Sequence, residues 1–161
     1  MSDQLTPDLV AFLKDQKDRQ EIIDAMLRYT RGVDRHDKAM MISAYHPDAW
    51  DEHGVAEGAP EDFCSWAIGW HGEFQSKHQH IITNHTIEID GDSAHSETYY
   101  LFWAENRDGR PQISFGRYVD RFEKRDGLWA IAHRVCVNEL TGNFDLAPIP
   151  PEWADKVFST G

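Results

Sequence analysis

The chain has 161 residues, enough for one domain with a substantial core. Hydrophobic residues make up 40% and charged residues 27%, which is typical of a globular protein and not of a disordered one. The formal net charge of −12 disfavours nucleic acid and anionic membrane surfaces as partners. The N-terminal sequence MSDQLTPDLV lacks the basic and apolar segments of a signal peptide, and no apolar stretch could span a bilayer. We therefore expect a cytoplasmic protein.

Helical periodicity dominates the first half of the chain. Thr6 followed by Pro7 is typical of a helix start, because the hydroxyl caps a free N–H and proline has none to cap. A helix is expected to end before Pro47, since the residue preceding a proline disfavours the helical region. Elsewhere the apolar residues recur at helical spacing. The predicted helices span residues 7–16, 18–35, 38–45 and 61–74, with a short strand at 49–53.

The second half of the chain changes to strand patterns. Turn signals that contain Asp-Gly recur at even spacing, and the segments between them are rich in β-branched and aromatic residues. Helices followed by such a meander indicate an α+β fold, in which the helices pack on the concave face of a curved sheet and form a cone. The predicted antiparallel strands span residues 77–89, 93–105, 111–124 and 128–140.

We expect a single domain over residues 1–161, with its core at about 18–140. The proline-rich tail at 141–161 has one possible helical turn at 152–157. Cys64 and Cys136 are each flanked by apolar residues, so they are expected to be unpaired thiols in a reducing compartment.

Asp34 is the first candidate for chemistry. It follows Ile23, Leu27 and Thr30 at helical spacing, which places its carboxylate on the buried side of the second predicted helix. Alternatively, the helix end frays and leaves Asp34 in water, since its neighbours are polar. A buried carboxylate needs a partner, because otherwise it takes up a proton.

His80 is the candidate partner, within the stretch HQHIITNHTIEIDGD. In a straight strand His80 shares a face with His78, while Ile87 and Ile89 lie on the opposite, apolar face. A straight strand would therefore point His80 away from the helices. A β-bulge near residues 81–84 would turn His80 towards the core, and bulges are frequent beside active sites.

A metal site is the competing interpretation of this stretch. His78 and His80 at two-residue spacing could supply two imidazole ligands, with Asp34 or another histidine as a third. Neither a Cys-x-x-Cys nor a His-Glu-x-x-His motif accompanies them, so we expect no metal and no cofactor.

Aromatic and polar residues on the predicted helices and strands could line a pocket for a small hydrophobic molecule. Among these, Arg117, Tyr118 and His133 could offer hydrogen bonds to a substrate oxygen. The remaining loop histidines are expected at the surface: His36, His46, His53, His71 and His95. The predicted substrate-binding residues are Tyr29, Trp50, Trp66, Phe102, Arg117, Tyr118 and His133.

Taken in order, RGVDRHD, a Trp-rich helix, HQHIITN and FEKRDGLWAIAHR resemble the SnoaL-like group of the nuclear-transport-factor-2-like superfamily. This group, which includes scytalone dehydratases and hexachlorocyclohexane dehydrochlorinases, has the cystatin-like α+β cone. The resemblance covers about residues 18–140. It implies that Asp34 and His80 form a catalytic Asp–His pair, and it implies the bulge or curvature that a straight strand lacks.

The same resemblance implies a cofactor-independent lyase of the dehydratase type, with an aromatic, polyketide-like or steroid-like substrate. An isomerase, a cyclase or a C–C lyase could use the same pocket. A small-molecule binder or a subunit like the small subunit of a ring-hydroxylating dioxygenase is the non-catalytic alternative. Because the outer face of such a sheet usually needs a partner, a homodimer or homotrimer is expected.

Overall fold

The computed structural model describes residues 5–145, so the helical turn expected at 152–157 lies outside the described part. The first element is one continuous helix, α1 (Pro7–Arg35), and not two helices as predicted. No Gly or Pro interrupts residues 14–20, so nothing there stops the helix. Thr6 caps its start, and its hydroxyl accepts from the Leu9 N–H at 3.3 Å. The buried side of α1 differs from the predicted one, because Leu27, which was expected to be buried, is 47% exposed. The buried residues of the helix include Ile22, Met26, Tyr29 and Val33.

The segment after α1 forms less helix and more strand than predicted. Helix α2 (Lys38–Ile42) ends early, and strand β1 (Tyr45–Glu52) begins before Pro47. Proline lacks an N–H but is tolerated here, because β1 pairs with a long strand on one side and only briefly with β2 (Glu57–Gly58) on the other. Helix α3 (Pro60–Phe74) follows and confirms the prediction for residues 61–74.

The four predicted long strands are confirmed. They are β3 (Gln75–Asp90), β4 (Ser93–Asn106), β5 (Pro111–Arg125) and β6 (Leu128–Asn143). The sheet has the order β2-β1-β6-β5-β4-β3, in which β1 runs parallel to β6 and all other pairs are antiparallel. Gly91 and Gly127 adopt φ values of 60° and 80° in the hairpins, which explains the Asp-Gly signals at these turns.

The helices pack on one face of this sheet, which confirms the predicted α+β class. Inward-facing residues of the strands meet the buried residues of α1. On the sheet side, the largest fully buried hydrophobic side chains are Tyr118, Phe122, Trp129 and Ile131. Cys64 and Cys136 are both unpaired, as expected.

A β-bulge at Asn84 interrupts the pairing of β3 with β4. Thr83 pairs with Tyr99 and His85 pairs with Thr98, so Asn84 has no partner in the ladder. It adopts a φ of 49°, a left-handed conformation that asparagine tolerates better than most residues. Because of this extra residue, His80 shares the inward face with His85. The bulge predicted near residues 81–84 is therefore confirmed.

The opposite face of the sheet carries exposed apolar side chains. Ile81, Phe115 and Leu140 are 40%, 36% and 57% exposed, and they occupy one cross-strand row with Leu101. The homodimer or homotrimer expected from the sequence stays a prediction. No helix among residues 5–145 is long and apolar enough to cross a membrane. The cytoplasmic location stays a prediction.

Candidate active site

Asp34 and His80 are hydrogen-bonded to each other on the inward side of the sheet. Asp34 lies one residue before the end of α1, and His80 lies on β3. Oδ1 of Asp34 is 2.7 Å from Nδ1 of His80. The backbone N–H of His80 donates to the same carboxylate, at 3.0 and 3.1 Å from its two oxygens. The side chains are 15% and 10% exposed, so the structure brings the predicted pair together in a largely buried place.

This contact fixes the tautomer of the neutral His80 ring. A carboxylate only accepts hydrogen bonds, so Nδ1 of His80 carries the hydrogen and Nε2 carries the lone pair. Nε2 has no hydrogen-bond partner within residues 5–145, and the His80 ring lines a pocket. An imidazole held in this way has the form of a general base.

Two more histidines pack beside His80. Nε2 of His78 donates to the backbone oxygen of Val33 at 3.2 Å, and its ring stacks on His71 at 4.3 Å between centroids. Nδ1 of His71 donates to Oε1 of Gln75 at 2.7 Å. Burial, together with the neighbouring His80, lowers the pKa of His71 to about 3. His71 is therefore neutral at neutral pH and supports His80 by packing.

The pocket has a volume of about 540 Å³, which lies within the ~300–1,000 Å³ usual for small-molecule sites. It lies between the helices and the inward face of the sheet. Half of its lining residues are aromatic or aliphatic: Tyr29, Val33, Val55, Phe63, Trp66, Ala67, Trp70, Phe102 and Tyr118. The remaining lining residues are polar: His53, His71, His80, Tyr100, Gln112, Ser114, Cys136, Asn138 and Thr141.

A hydrogen-bonded group of polar side chains occupies one wall of the pocket. Nδ2 of Asn138 donates to the Tyr100 hydroxyl at 3.2 Å and to Oγ of Ser114 at 2.7 Å. The Thr141 hydroxyl donates to Oδ1 of Asn138 at 2.9 Å. Tyr100 reaches this group because Gly116 has no side chain; a Cβ there would lie 2.8 Å from the Tyr100 oxygen. These groups could hold the oxygens of a bound molecule.

A buried ion pair lies behind the pocket. Nε and Nη2 of Arg134 donate to the two oxygens of Asp120 at 2.7 Å each, and neither side chain is exposed. The guanidinium carbon lies 4.3 Å from the ring centroid of Tyr29 and 4.2 Å from that of Tyr118. The pair therefore fixes two tyrosines of the pocket wall through cation–π contacts.

A second Asp–His pair lies close by. Nδ1 of His53 donates to Asp51, whose other oxygen accepts from the Tyr45 hydroxyl. Nε2 of His53 is 3.2 Å from the Tyr29 hydroxyl. Burial alone lowers the pKa of His53, but the Asp51 carboxylate outweighs burial and raises the pKa to about 9. His53 is thus a cation at neutral pH.

Four of the seven predicted binding residues line the pocket. Tyr29 comes from α1, Trp66 from α3, Phe102 from β4 and Tyr118 from β5. Their roles in binding stay predictions.

The other three predicted binding residues lie on the outward face, so the prediction that they line the pocket is wrong. Trp50 is 45% exposed and pairs in register with His133, which makes a hydrogen bond with Glu52 at 2.9 Å. Arg117 makes ion pairs with Glu97 and Glu139. The physical reason is strand alternation: Tyr118 and Arg134 point inward, so their neighbours Arg117 and His133 point outward.

Sequence reasoning also misplaced three histidines, since His46, His53 and His71 are not surface residues. His46 is 5% exposed and His71 is 9% exposed, and the His53 side chain is 16% exposed. Ala49 and Asp51, which alternate with His53, are fully or almost fully buried. Residues two apart in a strand lie on the same face, so the spacing of Ala49, Asp51 and His53 indicated that His53, just after β1, faces inward. For His71, the signal was its position on the face of α3 that carries Ala67.

Within the described part of the chain, no group of three or more His, Cys, Asp or Glu side chains is arranged to hold a metal ion. The expectation that no cofactor is needed stays a prediction.

Comparison with known families places this site in context. Residues 15–135 match the family described as the SnoaL-like domain. The chain belongs to the SnoaL-like domain family. The resemblance noted in the sequence motifs is therefore confirmed. A comparison with curated protein sequences finds no significant match.

Solved structures share the fold of this SnoaL-like domain. A type-2 hexachlorocyclohexane dehydrochlorinase (LinA) is similar with a TM-score of 0.78 and 19% identity, over 86% of this chain and 97% of that chain. A proposed scytalone dehydratase from Novosphingobium aromaticivorans gives a TM-score of 0.72 and 18% identity, over 85% and 94%. A protein of unknown function with a cystatin-like fold from Nostoc punctiforme gives 0.66 and 19%, over 76% and 91%. These similarities confirm the cystatin-like fold.

Proposed function

We propose that this SnoaL-like domain is a cofactor-independent lyase. It removes a proton from a carbon next to a carbonyl group and expels a substituent, such as hydroxyl, from the adjacent carbon. The observation that carries the proposal is the contact of 2.7 Å between Asp34 and His80, with Nε2 of His80 free of hydrogen-bond partners from residues 5–145 in a pocket of about 540 Å³. Two structures of the same fold are named as a dehydrochlorinase and a dehydratase, which are eliminating enzymes.

His80 is the general base. Its Nε2 takes the proton from carbon, and the C–H electron pair moves towards the carbonyl oxygen to give an enolate. Asp34 accepts from Nδ1–H, holds the ring in this tautomer and stabilises the imidazolium that forms. The backbone N–H of His80 keeps the carboxylate in place. When the carbonyl re-forms, the C–O bond to the leaving group breaks, and the hydroxide takes the proton from Nε2 and leaves as water.

The pocket lining indicates the class of substrate. Trp66, Trp70, Phe63 and Phe102 offer flat apolar surfaces, which favour an aromatic or other rigid ring system. The polar wall around Asn138 would bind oxygens of that ring system. The expected substrate is therefore a bicyclic or larger ketone with a hydroxyl on the carbon adjacent to the acidic C–H.

A β-hydroxytetralone tests this proposal, because loss of water converts it directly into a fluorescent naphthol. We expect the wild-type protein to form naphthol, and His80→Gln to lower kcat/KM by about 10²–10⁴-fold, the usual contribution of a general base. Asp34→Asn keeps the size of the side chain but removes its charge, so it should lower kcat with little change in KM. Product analysis distinguishes elimination from isomerisation, cyclisation or C–C cleavage.

His133→Gln is the matched control. His133 also pairs with a carboxylate, that of Glu52 at 2.9 Å, but it lies on the outward face of the sheet. This variant should form naphthol at the wild-type rate. Turnover that survives in both Asp34→Asn and His80→Gln would show that the proposed base is wrong.

A further inference from the structure

We propose that Asp51, His53 and Tyr29 form a hydrogen-bonded chain in the same pocket, in which the Tyr29 hydroxyl, held by His53, donates to the substrate oxygen on which negative charge develops. This inference deepens the proposed function and rests on it for the identity of that oxygen. It also assigns the pocket a preference for anionic oxygens, which can be measured without any turnover.

The contacts that join Asp51, His53 and Tyr29 reach the pocket. Asp51 lies on β1 and is fully buried, His53 follows β1, and Tyr29 comes from the C-terminal half of α1. His53 and Tyr29 both line the pocket that His80 lines. In the sheet order, β6, β5 and β4 lie between β1 and β3, so His53 and His80 approach a bound molecule from different walls.

Protonation of His53 sets the direction of each hydrogen bond in this chain. Asp51 accepts from Nδ1–H of His53 and from the Tyr45 hydroxyl. With Nδ1 and Nε2 both protonated, Nε2–H of His53 donates to the Tyr29 hydroxyl at 3.2 Å. The hydrogen of the Tyr29 hydroxyl then has no acceptor within residues 5–145, and Tyr29 lines the pocket. The chain therefore ends in a donor without an acceptor.

The groups around His53 favour its protonated form. The Asp51 carboxylate is the anion in direct contact, and the Cys136 thiol on β6 favours the charged ring further. Tyr29 and Tyr118 stay neutral, because burial raises the pKa of both hydroxyls well above the ordinary value. The other charged groups nearby are Arg134 on β6 and Asp120 on β5, which are paired with each other.

Two cations, Arg134 and His53, therefore contact the neutral side chain of Tyr29. The Arg134 guanidinium lies over the Tyr29 ring, and the His53 imidazolium contacts its oxygen. Positive charge beside a phenol strengthens it as a hydrogen-bond donor, and a donor aimed at developing charge in a water-poor site stabilises an enolate oxygen. During proton removal by His80, the oxygen accepts from Tyr29; when the carbonyl re-forms, the hydrogen bond weakens again and no proton is consumed.

Protonation of His53 is tested by NMR titration of the imidazole nitrogens in the substrate-free protein. We expect both nitrogens to be protonated at neutral pH and to titrate at a pH of about 9. Asp51→Asn should lower that midpoint. A His53 ring that is already neutral at neutral pH overturns the inference, whether or not the protein is a lyase.

Ligand preference is tested with naphthoate and naphthylmethanol, which share a ring system and differ in charge. We expect the wild-type protein to bind naphthoate roughly tenfold more tightly than the alcohol. His53→Gln and Tyr29→Phe should remove most of this preference, whereas His133→Gln should keep it. Tyr29→Phe retains the ring that Arg134 covers, so it guards against a misfolded His53 variant. Equal affinity for both ligands, or a preference unchanged in both variants, overturns the inference.

Discussion

Asn84 determines the face of the sheet on which His80 lies. Asn84 has no partner on β4, so the inward positions of β3 change from even to odd residue numbers at this point. His80 and Ile82 precede the change, and Ile87 and Ile89 follow it, yet all four are inward-facing and partly buried. The bulge thus lets one strand contribute side chains both to the pocket and to the core.

Deletion of Asn84 should separate these two roles. Without the extra residue, the strand can bury either His80 or Ile87 and Ile89, but not both sets. We expect burial of the isoleucines to dominate, so that His80 turns outward and loses Asp34. Loss of the downfield His80 N–H signal in NMR, with the far-UV spectrum of a folded protein, checks this. Asn84→Gly, which keeps the positive φ, is the control and should retain the signal.

Gly116→Ala should disturb the polar wall of the pocket. A Cβ at this position would lie 2.2 Å from the backbone oxygen of Val137 and 2.8 Å from the Tyr100 hydroxyl. The strands must shift to accept it, at a cost of about 1–3 kcal/mol in the free energy of unfolding. Chemical denaturation measures this cost. The same substitution at Gly142, where the added methyl group would have no atom of residues 5–145 other than its own chain neighbours within 4 Å, should cost far less.

The free energy of unfolding should decrease at alkaline pH because of His53. Its pKa rises from 6.5 to about 9 on folding, so the folded state holds this proton more tightly. That stabilisation is fully present below pH 6.5 and is lost as the pH rises to about 9. Thermal unfolding across this range should show a falling Tm, by about 2–4 °C for each kcal/mol lost. His53→Gln should make the decrease of Tm with rising pH less steep. An equally steep decrease in the variant would show that other groups cause it.

The free energy of unfolding should also decrease at acidic pH, because of His71. Its pKa drops from 6.5 to about 3 on folding, so below pH 6.5 the unfolded chain binds a proton that the folded chain does not. The free energy of unfolding should decrease as the pH falls through this window. Carboxylates contribute as well, so the contrast with His71→Phe is the measurement. The variant should lose less stability between pH 6.5 and about 4 than the wild type does.

The homodimer or homotrimer predicted from the sequence would bury the outward row of Ile81, Phe115 and Leu140. Phe115→Glu should then give a folded monomer, because the charge cannot be buried without a partner. Sedimentation equilibrium of the wild type and the variant checks this. A wild-type protein that is monomeric at high micromolar concentration would contradict the prediction.

The long strands could be predicted because their determinants are local. Asp-Gly turns and β-branched residues specify each hairpin within a few positions, as the positive φ of Gly91 and Gly127 shows. The continuity of α1 could also have been predicted, since no residue between Pro7 and Arg35 breaks a helix in its interior except Gly32, which α2 contacts closely.

The site was only partly predictable, because strand faces depend on register. Family resemblance identified Asp34 and His80, and the need to turn His80 inward indicated the bulge. Arg117 and His133 were placed on the wrong face, since their inward neighbours Tyr118 and Arg134 are set by pairing across the sheet. A buried arginine such as Arg134 is not expected from local sequence, because its burial depends on Asp120 from another strand.

The central claim is that Nε2 of His80 removes a proton from carbon. Tetralone, which lacks a leaving group, tests this step alone through deuterium exchange at its α-carbon in D2O, followed by NMR. We predict that the wild-type protein catalyses the exchange and that His80→Gln lowers the rate by at least about 10²-fold. Exchange at the same rate in His80→Gln and in the wild type would contradict the account.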